Sequence, residues 1–448
     1  MNKLFSLTTP LPAKLKITEF YHRFSEPVNG KYLGWFRTIA FGLMALEVIQ
    51  FSQRGYLQSF LVETKVRFPY EMIPVSVDFT QAGLNMLLGM IIFSAILCSI
   101  GLFYKYARWV FFLSFTFFFF QDKMLWNNHW YLFLLIGISS LVLDLNRVFS
   151  LDAVLAPKTK TENVPRWYYG LLAFQIGHVY FFGGIAKINH DWLVLHQPIG
   201  SFLEQRVNYF VLGNLFSQPW ASTFFAWGGM FFDLGITFLL INRKTIKLGL
   251  FLSLFFNIFN SMVFDIGMFP YFMIVSNLLF LGLVQPLENH GIGSTLAISK
   301  PIKLILVLFV SFQILFPLRQ FLFNGNPSWI GICERFSWRM MIQTKDVETF
   351  KFYAVDTRNG NRQEIDPSSF LFPQQMVALV VFPEMVPPVA KQMKAYFGKK
   401  GLKAFEVHAE VKASMNGRHF QPMIDQEVAL SNYEYQPISP PSYVIPLE

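Results

Sequence analysis

The chain places a lysine at the end of a long apolar run: Phe174-Gln175-Ile176-Gly177-His178-Val179-Tyr180-Phe181-Phe182-Gly183-Gly184-Ile185-Ala186-Lys187, followed by Ile188-Asn189-His190-Asp191-Trp192. An ammonium held away from water is penalised in its charged form, so its pKa falls and the amine can accept a proton near neutral pH. The same position suits a lysine that lays its stem along a helix and reaches its head to water, the common habit of lysines at the ends of membrane spans. A second constellation is Asp122-Lys123-Met124-Leu125-Trp126-Asn127-Asn128-His129-Trp130-Tyr131-Leu132. Its plain reading is a helix start, with Asn127 or Asn128 as N-cap and the tryptophans as an interfacial belt. Capping alone has no use for the histidine. Arg37, Glu47, Gln175, His178, Asp233, Asn257, Asn260 and Asp265 lie inside or at the ends of apolar runs. Ionisable groups are rare at such depth and are usually paired within a bundle, so Arg37 is expected to pair with Glu47 or Asp233, and His178 to bond a neighbouring helix.

The elements that must position these groups are membrane helices. The 448 residues are 53% hydrophobic, 18% aromatic and only 15% charged, with a mean hydropathy of +0.38. The apolar residues gather in runs near the ~20 needed to cross a hydrocarbon core of roughly 30 Å. About nine spans are predicted: Lys31 to Phe51, Gly83 to Phe103, Trp109 to Gln121, Trp130 to Leu145, Trp167 to Ile185, Ala221 to Ile241, Thr245 to Phe264, Met268 to Val284 and Ile302 to Phe316. From about Gly325 the pattern changes to strand-like alternation in Phe350 to Val355 and Phe405 to Val411, with an Arg-Asn-Gly-Asn turn at Arg358 to Asn361. The tail Gln436 to Glu448, rich in Pro and Ser, is expected to run as an extended strap. The expected organisation is an N-terminal segment 1–30, a polytopic domain 31–324, and a β-rich α+β extramembrane domain 325–448. No removable signal peptide is expected in Met1 to Glu26, so the first span would act as the insertion signal.

The net charge of +9 does not mark a nucleic-acid binder, because the cations are spread over short loops. Lys14, Lys16 and Arg23 precede the first span, and Lys105 and Arg108 lie between the second and third. Arg147, Lys158, Lys160 and Arg166 follow the fourth, Arg243, Lys244 and Lys247 follow the sixth, and Lys300 and Lys303 precede the ninth. All fall on one face, which predicts a cytoplasmic N-terminus and puts His129, the end of the fifth span and the C-terminal domain on the other side. Two cysteines, Cys98 and Cys333, cannot build a disulfide framework. Zinc-ligand spacing, a glycine-rich phosphate loop and a Gly-x-Ser-x-Gly elbow are lacking, so metal, nucleotide and serine-hydrolase mechanisms are not expected.

Trp126-Asn127-Asn128-His129 and Phe182-Gly183-Gly184-Ile185-Ala186-Lys187, with Asp191-Trp192 following, resemble motifs of the vitamin K-dependent gamma-glutamyl carboxylases and their bacterial relatives. So do Arg67-Phe68-Pro69, Trp227-Gly228-Gly229 with Asp233, Asn260-Ser261, Ile266-Gly267-Met268-Phe269, Phe336-Ser337-Trp338-Arg339-Met340-Met341, Asn416-Gly417-Arg418 and Val444-Ile445-Pro446-Leu447, in the family's order. The likeness runs from about Gly30 to the end. The vertebrate enzymes are longer at the C-terminus, so the chain resembles a trimmed, bacterial-type homologue with a horizontally transferred transmembrane domain, set in a bacterial inner membrane.

The resemblance implies a carboxylase and quinol epoxidase that takes reduced vitamin K, O2, CO2 and a glutamate-containing protein or peptide. Lys187 stands at the family's essential base, which deprotonates the reduced quinone so that O2 can add and a strongly basic oxygenated species can form. That species removes the γ-hydrogen of glutamate, and the carbanion attacks CO2. By the same likeness His129 acts with Asn128 on the quinone oxygens, and Trp126, Asn257 and Met340 complete the quinone site. Trp329, Ser337, Trp338 and Met341 fall in the region of the glutamate pocket, and Lys345, where the vertebrate pattern has arginine, would meet the substrate carboxylate as a point charge. Two departures stand out: Asn257 replaces a histidine, and Glu334 replaces a tyrosine and adds a negative charge. The rival readings are a quinol monooxygenase that epoxidises without carboxylating, and a transporter or lipid-binding protein, for which inverted repeats would be expected and are not seen.

Overall fold

A computed structural model describes residues 24–73, 75–156, 162–210, 212–286, 298–436 and 439–448. The predicted basic residues Lys14, Lys16, Arg23, Lys158 and Lys160 lie outside the described residues. Helices form over each predicted span: α1 Lys31–Gln53, α2 Gln81–Ile100, α3 Tyr104–Phe119, α4 Asn128–Ser140, α5 Arg166–Ala186, α6 Ala221–Leu240, α7 Ile246–Val263, α8 Phe269–Leu283 and α9 Lys300–Leu318. Among the described residues six of them, α1, α2, α5, α6, α7 and α9, are long and apolar enough to cross a membrane. The expectation of nine full spans is not confirmed: α3, α4 and α8 have 16, 13 and 15 residues, short of the ~20 that a hydrocarbon core requires. The protein is a multi-pass membrane protein with α5 at its centre, where 78% of the apolar window is buried.

Helix ends at the basic end of the bundle are closed by arginines. The last carbonyls of a helix have no partner within it, and a guanidinium offers donors and the right sign of charge. Arg37 donates to Cys98 O (2.7 Å) and to Ser99 O at the end of α2, and also to Leu145 O and Phe149 O. Arg108 donates to Ser140 O and Leu143 O beyond α4, and both Arg166 and Arg243 reach the carbonyls after α8. The expected pairing of Arg37 with Glu47 or Asp233 is therefore corrected. Glu47 lies ten residues further along the same helix, about 15 Å at 1.5 Å per residue, at its other end. Gly101, at φ +66°, ends α2 in the left-handed region, and a Cβ there would lie 2.8 Å from the Arg37 guanidinium.

Two short strands, β1 Pro27–Asn29 and β2 Asn163–Pro165, pair antiparallel at this end. At the opposite end sits the C-terminal region. Its sheet comprises β3 Lys345–Asp356, β4 Arg362–Ile365, β5 Phe405–Met415 and β6 Gln421–Pro422, in the antiparallel order β4-β3-β5-β6. The predicted turn joins β3 to β4, with Gly360 at φ +72°. The region is less β-rich than expected, because α10 Pro373–Val381 and α11 Val386–Lys399 cover one sheet face and share a core with it. The tail is a strap as predicted: Ile445 donates its amide to Met423 O, and Tyr443 is buried.

Candidate active site

The loops after α1, α3, α5 and α7 gather beneath the C-terminal region around a cavity of about 1030 Å³. Lys187 ends α5 there and is 7% exposed, so it does not reach water as a snorkelling lysine would. Its Nζ donates to Asp233 Oδ2 of α6 at 2.5 Å and lies 5.2 Å from the Trp192 ring centroid. Glycine seams make this pairing possible. A Cβ on Gly184 would stand 3.0 Å from the Leu234 amide nitrogen, and one on Gly177 would stand 2.7 Å from the Thr237 methyl. Small residues at seven-residue spacing thus let α5 and α6 approach closely enough for the two charges to meet.

The loop before α4 supplies the second group. Asn127 is the N-cap, its Oδ1 accepting from the Trp130 amide at 2.8 Å. That leaves Asn128 and His129 free to face the cavity. Asn128 Oδ1 is buried and without a hydrogen-bond partner. His129 Nε2 lies 3.4 Å from Glu47 Oε1, and Glu47 also accepts from the Met268 amide. Asn257 of α7 lines the same space and donates to Tyr180 Oη at 2.9 Å. Trp126 completes this polar end, while Phe231 of α6 and Phe255 of α7 form an apolar wall. These two phenylalanines are 62% and 66% exposed, so the cavity opens sideways on the membrane-facing surface.

The C-terminal region closes the cavity with Glu334, Arg339, Met340, Met341 and Gln343. The chain turns sharply here, with Cys333, Phe336, Trp338 and Met341 all at φ between +54° and +63°. Four non-glycine residues in the left-handed region within nine positions is costly, and such clusters occur where surrounding structure holds a loop for use. Met340 Cε comes within 3.5 Å of where a Cβ on Gly183 would sit, and Asp233 Oδ2 within 3.4 Å, so this loop lies on the last turn of α5.

Not all predicted glutamate-pocket residues reach the cavity. Met341 does, but Trp329, Ser337, Trp338 and Lys345 are not among its lining residues. Trp329 lies in the C-terminal core with its Nε1 on Ile445 O, and the Trp338 ring lies 4.9 Å from that of Tyr131, tilted by 31°. Ser337 is fully buried. Lys345 Nζ is held by the carbonyls of Trp329, Val380 and Val381 at 3.0, 3.0 and 3.1 Å. Burial pushes this amine down to about 7. The charge introduced by Glu334 is met in place: its carboxylate accepts from Arg339 Nε at 2.9 Å and Gln343 Nε2 at 3.0 Å.

Asp233, Glu47, Arg339 and Gln343 are the cavity groups that no site was predicted around. Asp233 and Glu47 carried a signal, as carboxylates inside apolar runs, and Arg339 lay inside the Phe336-to-Met341 motif; Gln343 carried none. His178 bonds a neighbouring helix as expected, its Nε2 2.7 Å from Gln313 O of α9.

Comparison with known families gives two matches that together span most of the chain. Residues 25–283 match the HTTM domain, and residues 298–448 match the vitamin K-dependent gamma-carboxylase, lumenal domain. No solved structure matches the chain.

Proposed function

The chain belongs to the vitamin K-dependent gamma-glutamyl carboxylase family, and we propose that it couples oxidation of a reduced naphthoquinone to the addition of CO2 at the γ-carbon of glutamate residues. The observation that carries this reading is a single cavity that joins a buried lysine to an imidazole and an unpartnered amide, with an apolar wall toward the membrane and the C-terminal region as its roof. A flat two-oxygen head with an apolar tail suits that division. When bound, the reduced quinone would supply the oxidisable diol whose reaction with O2 generates the strong base.

The residues of this chain then have distinct tasks. Lys187 takes a hydroxyl proton once the pair has given up its own, as a neutral amine beside the Asp233 carboxylate, which at 2.5 Å then holds the resulting ammonium in place. Asn128 and His129 orient the quinol oxygens as fixed dipoles, at no reorganisation cost during reaction. Trp126, Asn257 and Met340 shape the quinone site around them. Met341 and Gln343 stand on the side from which a glutamyl chain of a protein or peptide partner would enter. That side is assigned to the non-cytoplasmic face of the membrane. One observation favours the second reading, epoxidation without carboxylation: the carboxylate of Glu334 already lines the space that a glutamate must enter.

The test supplies purified protein with reduced vitamin K, O2, labelled CO2 and glutamyl peptides, and looks for label in γ-carboxyglutamate. Label is expected with the native chain. Lys187→Ala should lose about a hundredfold or more of quinol-dependent O2 uptake together with the label. A small exogenous amine should restore part of it, increasingly as pH rises toward the amine's own pKa. Lys187→Arg should be equally inactive, because a guanidinium stays protonated at working pH. Near-normal turnover by the Arg variant would end the base assignment.

A further inference from the structure

We propose that Arg339 and Gln343 form the seat for the γ-carboxylate of the incoming substrate, and that Glu334 is a resident carboxylate which the substrate displaces. This rests on the carboxylase reading above. Carbanion formation next to a carboxylate needs that carboxylate held still, and two oxygens require donors fixed by other contacts. Arg339 meets the requirement. Its Nη1 donates to Gln320 Oε1 at 2.5 Å and its Nη2 to Ser328 Oγ at 2.7 Å, which aims Nε at the carboxylate. The second donor, Gln343 Nε2, holds the other oxygen of Glu334, while Gln343 Oε1 is buried without a partner. Arg339 and Glu334 side chains are 8% and 6% exposed, and both line the cavity that holds Lys187.

Other cavity cations are engaged differently. Lys187 is taken by Asp233, and Arg54 sits exposed just beyond α1. Lys345 lies outside the cavity, turned into the carbonyls of Trp329, Val380 and Val381. A glutamyl side chain reaching the cavity past Met341 would therefore find its best-prepared donors at Arg339 and Gln343. Glu334 has the same side chain as the substrate and occupies those donors with the geometry a substrate carboxylate would use. It comes from the strained turn 333–341, with Cys333 at φ +59° immediately before it, so a swing of this side chain is coupled to the loop that carries Arg339 and Met341.

The experiment measures fluorescence-anisotropy binding of a labelled glutamyl peptide and its glutaminyl counterpart to the full chain in detergent, with quinol-dependent O2 uptake recorded separately. Glu334→Gln and Glu334→Tyr should each tighten glutamyl-peptide binding by about tenfold or more, the size of a charge-assisted hydrogen bond freed for the ligand. Glu334→Gln combined with Arg339→Gln leaves no unpaired buried charge, so it should fold, and its preference for the glutamyl over the glutaminyl peptide should fall to near one. Unchanged or weaker glutamyl-peptide binding in the folded single variants would overturn the proposal. So would a double variant that keeps the native preference. Failure of the carboxylase reading would appear elsewhere, as absent quinol-dependent O2 uptake by the native chain, while peptide binding reports on the seat alone.

Discussion

Lys187 and Asp233 form a buried pair, and each is costly without the other. Removing one partner strands a charge in a medium that cannot solvate it, a loss of about 3–5 kcal/mol, whereas replacing both by apolar residues is often neutral. Asp233→Ala should therefore lower the thermal unfolding temperature strongly. Lys187→Met with Asp233→Leu should recover it while quinol oxidation stays absent. A double variant whose loss equals the sum of the two single losses would show that the two residues contribute independently. Lys345 adds a pH dependence at the same scale. Its amine titrates at about 7 in the folded chain against an ordinary 10.5. Between these values the unfolded chain binds the extra proton, so stability rises as pH is raised through this window and is lost again as pH falls toward 7. Unfolding temperatures measured from pH 7 to 10 should climb more steeply for the native chain than for Lys345→Met. Parallel slopes would remove this lysine from the account.

The elements are joined where the site needs stiffness. Asp191 follows Lys187 by four residues and receives both Arg418 guanidinium nitrogens, with Asn416 Nδ2 donating at 2.7 Å. Both donors come from the turn after β5, so the end of α5 is tied to the sheet. Bidentate contacts of this kind fix orientation as well as distance. Arg418→Gln should leave the helices inserted, accelerate amide hydrogen exchange over residues 187–193, and raise KM for a glutamyl peptide more than it lowers kcat. An exchange pattern identical to that of the native chain would mean that the tie carries no load. The loop after α1 is tied in the same way, since Gln392 of α11 donates to Arg67 O at 3.0 Å and Phe68 enters the C-terminal core. Two loops are thus tied to the C-terminal region.

At the scale of the molecule, the two ends of the bundle differ in charge and in use. Arginines cap helix carbonyls at one end, and the site with its C-terminal roof occupies the other. Basic loops are retained on the cytoplasmic side during insertion. A reporter fused before Met1 should therefore be reachable only from the cytoplasm, and one fused after Glu448 only from outside it. A C-terminal reporter reached from the cytoplasm would reverse the proposed orientation and put the glutamyl partner on the wrong side. The sideways opening at Phe231 and Phe255 would give the proposed apolar quinol a route that does not cross water.

Run length, residue type and loop charge are properties of the linear chain, and they sufficed to place the helices, the turn at Gly360 and the polar positions at Lys187, Asn128 and His129. Helix ends were less legible. The span predicted to continue to Leu145 stops at Ser140, because Arg108 takes the carbonyls of Ser140 and Leu143 from across the bundle. Ionic partners were not legible. Arg37 chose backbone carbonyls over a carboxylate, and Lys187 chose Asp233, because the Gly177 and Gly184 seam sets how closely α5 and α6 approach. The turn at 333–341 decided which side chains of the Phe336-to-Met341 motif face the cavity, through left-handed residues whose identity carries no such signal. Tertiary structure also turned Lys345 toward carbonyls 35 and 36 residues away and put Glu334 on Arg339. Such pairings depend on distances that folding alone creates, and hydropathy, which sums residues one by one, does not contain them.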